Sequence, residues 1–202
     1  EVALEPSVFT RAGVRRVLAY AFELAEQRRG VVTSATKSNA SRYGYVLWDE
    51  VAEEVAADHG DVMYERVLVD ALAARMVRNP ESLDVVVASN LFGDVLTDIG
   101  AELQGGMGMA ASASVAPGSD APSVFEPVHG SAPDIAGQGI ANPVGAIWSA
   151  SLMLDQLGES DAAARLLRAL ETVCREGPRT RDIGGTASTS EVGDAVAAEA
   201  AA

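Results

Sequence analysis

Cysteine is nearly absent from this chain of 202 residues, which contains Cys174 and no other. A single thiol cannot form a disulfide within the chain, and this composition is typical of a reducing compartment, so we expect a cytoplasmic location. The helical pattern around Cys174 predicts a packing role. No run of about 18 apolar residues occurs, so the sequence predicts no membrane span, and no secretory signal peptide is recognisable.

Positive charge is also scarce, with 15 Lys and Arg against 29 Asp and Glu and a formal net charge of −14. A field of this sign repels phosphate backbones, so it argues against nucleic-acid binding. It favours cations, although many cytosolic proteins are simply acidic. Hydrophobic residues make up 48% of the chain, which is enough for the core of one large domain or two small lobes.

Two common nucleotide-binding motifs are missing as well. The sequence contains no G-x-G-x-x-G and no G-x-x-x-x-G-K-[ST]. Neither a Rossmann fingerprint nor a P-loop therefore supports nucleotide binding.

Strands and helices are predicted to alternate in the first half of the chain, which indicates an α/β fold. The predicted helices lie at 10–27, 47–59, 71–78 and from residue 90 onward, and the predicted strands at 31–35, 67–69 and 84–88. From Gly105 the composition shifts to Gly, Ser and Ala, which predicts a crossing between two lobes and then a turn-rich loop. Helices are predicted at 144–157, at 160–175 and from Ser190.

Two carboxylates stand four residues apart where a predicted strand gives way to a helix. Asp94 and Asp98 follow the apolar run 85–88, and positions i and i+4 share one helical face. Like charges so placed repel each other unless a cation lies between them. Asp70 also follows an apolar strand, and three carboxylates at strand ends can form an all-oxygen site that suits Mg2+ or Mn2+. The alternative is that Asp94 charges a helix N-terminus, which the helix dipole favours.

Further polar residues stand in predicted loops. Lys37 follows a strand, where a lysine is either a solvated surface charge or, when partly desolvated beside a metal ion, a base. His129 lies among Pro and Gly and is either a local hydrogen-bonding residue or a catalyst. The Gly-Ser-Ala segment at 130–132 leaves its backbone open to a ligand, and Asp134 can accept hydrogen bonds from a sugar diol.

Together these motifs resemble one known family. Asn-Leu-Phe-Gly-Asp-Val-Leu-Thr-Asp-Ile-Gly at 90–100 and Gly-Gly-Met-Gly-Met at 105–109 are similar to the signature of the metal-dependent β-decarboxylating dehydrogenases. These are the isocitrate, 3-isopropylmalate and tartrate/D-malate dehydrogenases. The 126–143 segment looks like their adenine-nucleotide loop. Thr-Lys-Ser-Asn at 36–39 and Val-Asp-Ala at 69–71 follow in the expected order.

The resemblance implies a two-lobed, isopropylmalate-dehydrogenase-like α/β fold with a mixed sheet flanked by helices. Residues 1–104 would form a dimerisation and active-site lobe, and residues 105–202 the C-terminal part of a cofactor-binding lobe. Family members are considerably longer, and the chain begins with Glu1 in the middle of the family pattern. The arginine cluster that grips the substrate and the tyrosine that protonates the enolate are expected upstream. We expect these 202 residues alone neither to fold stably nor to turn over substrate.

The resemblance also implies roles for the charged residues. Asp94 and Asp98 would bind Mg2+ or Mn2+, and Asp70 of the partner subunit would complete the metal site of a homodimer. Lys37, also of the partner subunit, would take the substrate hydroxyl proton, so Lys37 and Asp70 are the expected catalytic residues. The expected reaction is the NAD-dependent oxidative decarboxylation of a 2-hydroxy dicarboxylic acid.

The expected cofactor residues fall into two groups. Asn39 would lie near the nicotinamide and Glu126 near its ribose. The adenosine half would be held by His129, Gly130, Ser131, Ala132, Pro133, Asp134 and Asn142. Asp134 favours NAD, because a carboxylate accepts both ribose hydroxyls but repels a 2′-phosphate. The NADP-dependent relatives carry a basic residue and a Tyr where this chain has Asp134 and Ile135.

The branch of the family is indicated by four short segments. Residues 33–39, 48–51, 87–90 and 152–157 look most like the tartrate/D-malate branch. The 3-isopropylmalate branch is the alternative. A catalytically silent regulatory subunit is a second class, although such subunits typically lose the metal or base residues that this chain retains. A structural acidic module is a third, and it leaves residues 129–134 unexplained.

Overall fold

The computed structural model describes residues 1–118 and 120–202. They form two compact units, residues 1–99 (unit 1) and residues 100–202 (unit 2). The prediction that the two halves of the chain are a dimerisation lobe and a cofactor-binding lobe remains a prediction. Within the described residues, no helix is both long enough and apolar enough to cross a membrane.

Unit 1 is built on a three-stranded parallel sheet whose strand order is β2-β1-β3. Its elements in chain order are α1 (Arg11–Glu26), β1 (Val31–Thr36), α2 (Gly44–Asp58), β2 (Met63–Leu68), α3 (Val69–Arg78), β3 (Val85–Val87) and α4 (Asn90–Gln104), which ends in unit 2. β1 is the central strand and is buried over almost its full length, because helices cover both faces of a parallel sheet. The predicted alternation of strands and helices is confirmed.

The main core of unit 1 lies between the sheet, α1 and α2. Thr10 caps α1 by accepting a hydrogen bond from Gly13 N–H, as its position predicted. α1 then buries one face at helical spacing, made of Val14, Leu18, Ala21, Phe22 and Ala25. α2 places Trp48 against the same core, where its indole N–H donates to Ser34 Oγ at 2.9 Å. Burial of such large side chains supplies most of the stabilisation of this unit.

The amino edge of the sheet is fixed by a buried carboxylate. Asp84, just before β3, has a side chain that is only 2% exposed. It accepts hydrogen bonds from Arg28 Nε at 2.9 Å, from Arg29 N–H at 2.9 Å and from Val31 N–H at 3.3 Å. Burial alone raises a carboxyl pKa, but these donors outweigh it and lower the pKa of Asp84 below its ordinary value. Asp84 thereby ties the start of β3 to the start of β1.

Unit 2 combines a two-stranded antiparallel sheet with three helices. The strands are β4 (Ala111–Ser114) and β5 (Val124–Pro127), paired so that Ser112 lies opposite Glu126. The helices are α5 (Val144–Gln156), α6 (Ser160–Glu176) and α7 (Thr189–Ala201). Their core is small and aliphatic, made of Val144, Ala169, Leu170, Val173, Val192 and Val196. Ser188 and Glu191 form a capping box at the start of α7.

Three sequence predictions are corrected by the structure. β2 spans residues 63–68 rather than 67–69, because its polar, half-exposed residues hid the first part of the strand, and Val69 already belongs to α3. The regions predicted as crossing and loop contain β4 and β5. The Ala-Ser-Ala-Ser sequence of β4 has neither the β-branched residues nor the apolar alternation that indicates a strand.

Candidate active site

The predicted catalytic residues of unit 1 lie at the carboxyl edge of its sheet. β1 ends at Thr36, directly before Lys37, and the neighbouring β2 ends at Leu68, two residues before Asp70. β3 ends at Val87 and is followed by α4. Because the three strands are parallel, all three exits lie at the same edge. This is the edge at which open α/β sheets bind their ligands.

Lys37 and Asp70 form a direct ion pair. Lys37 Nζ donates to Asp70 Oδ1 at 2.5 Å, and the two side chains are 29% and 66% exposed. This hydrogen bond is the main cause that lowers the pKa of the Asp70 carboxyl. The Lys37 carbonyl accepts from the N–H groups of Ala40 and Ser41, both at 2.9 Å, so a tight turn holds the lysine. Asn39 lies exposed within that turn.

Asp94 and Asp98 project from successive turns of α4. Both residues are exposed, and neither carboxylate makes a hydrogen bond or ion pair within residues 1–118 and 120–202. The first turn of α4 contains no acidic residue, so Asp94 lies too far along the helix to cap its N-terminus. Two unengaged carboxylates on one helical face are a donor set that suits a hard divalent cation.

Asp70 does not join Asp94 and Asp98 in this single chain. Among the described residues, no group of three or more His, Cys, Asp or Glu side chains is close enough to hold a metal ion. The three-carboxylate site is therefore not formed within one chain. The version of the site in which Asp70 comes from a partner subunit remains a prediction.

Tyr45 is a residue at this edge that the sequence did not single out. It is buried in α2, and its hydroxyl is 2.6 Å from Ser89 Oγ, while its ring stacks on Phe92 with centroids 4.8 Å apart. Burial raises the pKa of Tyr45. Ser89 in turn accepts from Gly93 N–H at 2.7 Å through its carbonyl. Tyr45 therefore fixes the start of the helix that carries Asp94, and a buried tyrosine in need of a hydroxyl partner is the signal that could have indicated it.

The predicted cofactor loop of unit 2 presents backbone rather than side chains. A Cβ added at Gly130 would meet nothing within 4 Å, so the backbone is open there. Ala132 has φ of +40°, and among the described residues it is the only non-glycine with positive φ. Such backbone strain is typical of ligand-binding sites. Ser131, Pro133 and Asp134 are exposed.

His129 makes a local contact in this loop. Its Nδ1 is 2.9 Å from the carbonyl oxygen of Gly130, and because a carbonyl oxygen only accepts, Nδ1 is the donor in this contact. This contact matches the reading of His129 as a local hydrogen-bonding residue. Glu126 lies exposed on β5.

Asn142 differs from the other predicted cofactor residues because it is buried and fully engaged. Its Nδ2 donates to Asp182 Oδ2 at 3.0 Å and lies 3.4 Å from Met109 Sδ, and its Oδ1 accepts from Val144 N–H at 3.0 Å. Both amide hydrogens are used, and the residue is only 6% exposed, so the side chain is closed to adenosine. Only the backbone of Asn142 remains to contact a cofactor.

Comparison with known proteins assigns this arrangement to a family. The family model described as isocitrate/isopropylmalate dehydrogenase matches residues 1–196. The chain therefore belongs to the isocitrate/isopropylmalate dehydrogenase family, as the motifs around Asp94 and His129 predicted.

Curated relatives narrow the likeness further. The chain is 53% identical over 196 residues to the probable tartrate dehydrogenase/decarboxylase of Bacillus subtilis, covering 97% of this chain and 55% of that protein. It is 49% identical over 202 residues to the D-malate dehydrogenase [decarboxylating] of Escherichia coli, covering 97% of this chain and 56% of that protein. The chain thus spans about half the length of these relatives.

Solved structures give the same fold. The isocitrate dehydrogenase of Methylococcus capsulatus superposes with a TM-score of 0.92 at 37% identity, over 98% of this chain and 59% of that one. The predicted isopropylmalate-dehydrogenase-like α/β fold, with helices flanking parallel and antiparallel strands, is confirmed.

Proposed function

We propose that the protein containing this chain catalyses the NAD-dependent oxidative decarboxylation of a 2-hydroxy dicarboxylic acid of the D-malate or tartrate type, using Mg2+ or Mn2+. The observation that carries the proposal is that one chain presents a Lys37–Asp70 ion pair at the edge of its sheet and, separately, two unengaged carboxylates on α4, which would be the two halves of a site shared between subunits. The names of the relatives that are about half identical support the choice of substrate.

The acidic residues at this edge fit a divalent cation. Asp94 and Asp98 offer unengaged oxygens four residues apart on α4, and we propose that Asp70 of the partner subunit adds the third carboxylate. When bound, Mg2+ or Mn2+ stabilises the negative charge that develops on the substrate oxygen.

Lys37 of the partner subunit is proposed as the base of the reaction. It would take the proton of the 2-hydroxyl while hydride leaves the same carbon for the nicotinamide. The carboxylate on the next carbon, β to the new carbonyl, would then leave as CO2, and its bonding electrons would form an enolate that is finally protonated. The Lys37–Asp70 hydrogen bond of 2.5 Å orients the amine. The protein otherwise serves to place the cofactor against the substrate, since the hydride chemistry belongs to NAD. Asn39, in the turn after Lys37, is proposed to lie near the nicotinamide.

The loop at 129–134 is proposed to hold the adenosine half of NAD. Its open backbone at Gly130 and the strained Ala132 leave main-chain groups available to a ligand. The Asp134 carboxylate makes no hydrogen bond within the described residues, so it is available to accept both ribose hydroxyls. Its charge would repel a 2′-phosphate, which favours NAD over NADP. Glu126 is proposed to contact the nicotinamide ribose.

A homodimer is part of this proposal. Leu91 and Val95, one helical turn apart on α4, are 68% and 54% exposed and lie close to Asp94 in sequence. This helix exposes apolar side chains beside unengaged carboxylates. A subunit interface here would bury the apolar side chains and supply the missing ligand of the metal site. Cys174 is the basis on which we further propose a cytoplasmic location.

Two alternatives are separated by simple measurements. A 3-isopropylmalate dehydrogenase would use the same kinds of metal, base and cofactor residues, so the assay of substrates decides. A silent regulatory subunit would fail to bind Mn2+, whereas Asp70, Asp94 and Asp98 are all present here. We also propose that the 202 residues by themselves are inactive, and NAD reduction by the isolated chain would contradict this.

The deciding experiment is an assay of the complete protein with D-malate, tartrate and 3-isopropylmalate, each with NAD or NADP and with Mn2+ or a chelator. We expect Mn2+-dependent reduction of NAD with D-malate or tartrate. Exclusive use of 3-isopropylmalate would overturn the choice of branch. Absence of any NAD-dependent turnover, together with no thermal stabilisation by NAD, would overturn the proposal as a whole.

A further inference from the structure

Residues 139–142, which follow the proposed adenosine loop, are hydrogen-bonded to residues 182–189 near the C-terminus of unit 2. Thr189 N–H donates to the Gly139 carbonyl at 2.8 Å, and Thr189 Oγ1 donates to the Ala141 carbonyl at 2.6 Å. Asn142 Nδ2 donates to Asp182 at 3.0 Å. Three attachments therefore join residues 139–142, which belong to no helix or strand, to residues 182–189.

Asp182 is the charged member of this connection. Its two carboxylate oxygens are divided between two donors, Thr180 Oγ1 on Oδ1 at 2.5 Å and Asn142 Nδ2 on Oδ2 at 3.0 Å. Thr180 is fully buried and Asn142 nearly so. Asp182 itself is exposed, and its bond to Asn142 is the one of the three attachments that a charge assists.

A glycine allows this link to form. A Cβ at Gly108 would lie 2.8 Å from Asn142 Cβ and 3.0 Å from Asp182 Oδ2, distances that real side chains do not tolerate. Gly108 belongs to the Gly-Gly-Met-Gly-Met segment at 105–109, to which the proposed function assigns no role. The space it leaves is filled by the Asn142–Asp182 contact.

We propose that Asp182 is a positioning residue for cofactor binding, which acts through Asn142 to fix the segment that follows the adenosine loop. The inference rests on the proposed function, because it assumes that NAD binds at 129–142. Asp182 itself touches no cofactor in this proposal. It sets the place of the Asn142 backbone, since the buried Asn142 side chain is held by Asp182, Met109 and Val144.

The chemistry of the pair allows a test by exchange. In Asp182→Asn, the amide either keeps Thr180 as donor and turns its NH2 toward the NH2 of Asn142, or keeps Asn142 as donor and turns its NH2 toward Thr180 Oγ1, whose buried hydroxyl then loses its acceptor. Asn142 cannot flip in response, because its Oδ1 accepts from Val144 N–H at 3.0 Å. In Asn142→Asp, two carboxylates face each other. In the double variant Asp182→Asn/Asn142→Asp, the new amide donates to the new carboxylate and Val144 N–H keeps its acceptor, so one good hydrogen bond returns.

The experiment measures the NAD dissociation constant, the KM for NAD, the KM for the hydroxy acid and kcat in the complete protein. We expect each single variant to raise the NAD dissociation constant by about five- to tenfold, and the double variant to recover most of that loss. The KM for the hydroxy acid and kcat at saturating NAD should change by less than about twofold. Asp194→Asn, the same change at an exposed position of α7, is the matched control and should alter nothing.

The outcomes separate this inference from the function on which it rests. A wild-type protein that binds no NAD overturns both. If the wild type binds NAD and Asp182→Asn binds it equally well, the positioning role is wrong and the proposed function stands. If the single variants lower kcat and thermal midpoint together but leave the KM for NAD unchanged, Asp182 is structural only. If the double variant is as weak as the sum of the singles, the two side chains do not act as a pair.

Discussion

The two units of this chain offer their polar groups in opposite ways. Unit 1 uses side chains placed at the ends of regular elements, with Lys37 and Asp70 after parallel strands and Asp94 on a helix. Unit 2 uses the backbone of a turn-rich segment, with Gly130 open and Ala132 at positive φ. Charge chemistry needs particular side chains, whereas a nucleotide can be held by main-chain groups that many sequences supply. The difference predicts that the function of unit 1 is sensitive to single substitutions that remove a charge, such as Asp→Asn. Unit 2 should instead be sensitive to substitutions that move its backbone.

The largest effect is expected at Asp94. In the complete protein, Asp94→Asn removes one proposed metal ligand and should lower Mn2+-dependent turnover by about a thousandfold, because several kcal/mol of charge stabilisation are lost. The thermal midpoint should hardly move, since the carboxylate is exposed and unengaged. Glu102→Gln, two turns further along α4, is the control and should keep its activity. Near-normal turnover of Asp94→Asn would contradict the metal assignment and remove the contrast between the units.

A smaller effect, on stability rather than activity, is expected at Asp84. Asp84→Asn removes the charge and leaves an amide NH2 facing either the Arg28 guanidinium or the N–H groups of Arg29 and Val31, and should cost about 2 to 3 kcal/mol of unfolding free energy. Urea unfolding of the complete protein measures this loss. If Asp84→Asn proved as stable as the wild type, the buried carboxylate would be no anchor of the sheet.

The Asp84 contribution should also depend on pH. The pKa of Asp84 is lowered in the folded protein, so the unfolded chain takes up its proton first as the pH falls. The stabilisation is present in full above the ordinary carboxyl pKa of 3.8 and is lost as the pH falls toward the lower folded value. The difference in stability between wild type and Asp84→Asn should therefore shrink below that pH. A constant difference down to the acid transition would contradict this account.

The smallest effect is expected in the backbone of unit 2. A Cβ at Gly145 would lie 2.7 Å from the Ala110 carbonyl oxygen, so Gly145→Ala forces α5 away from β4 and should cost about 1 to 3 kcal/mol. Gly193→Ala on α7 meets nothing within 4 Å and should instead stabilise by about 0.5 to 1 kcal/mol, because alanine favours a helix. The thermal midpoints of Gly145→Ala and Gly193→Ala test these two expectations. Equal shifts would show that close packing at Gly145 does not determine the stability of unit 2.

The sequence predicted unit 1 better than unit 2 for a physical reason. The buried strand β1 is a short run of small and β-branched residues, and α1 repeats its apolar face at helical spacing, so both patterns are set by burial. β4, with the sequence Ala-Ser-Ala-Ser, is held by pairing to β5 and by packing on α5, and neither leaves a local pattern. Tertiary contacts decide such segments, and one sequence does not display them.

The candidate site shows the same division. Lys37, Asp70, Asp94 and Asp98 could be selected because each follows a strand or shares a helical face, and their common edge follows from parallel pairing. The sequence predicts Asn142 as a cofactor residue but gives no sign that its side chain is hydrogen-bonded within the protein. Its partner Asp182 is 40 positions away. The one local signal is the Thr-Arg-Asp order at 180–182, because a threonine hydroxyl can reach a carboxylate two residues further on. It could have indicated that the Asp182 carboxylate is hydrogen-bonded within the protein.

The strand order of unit 1 also determines how this site can be assembled during synthesis. β1 is central in the sheet but is the first of the three strands to leave the ribosome. Parallel strands cannot close as a hairpin, so β1 waits for α2 and β2 before either of its edges is paired, and such non-local pairing is slow. The first pair to close already brings Lys37 against Asp70. The ion pair can therefore form before Asp94 has emerged, so each chain already holds its base and its third carboxylate in place when it meets a partner subunit.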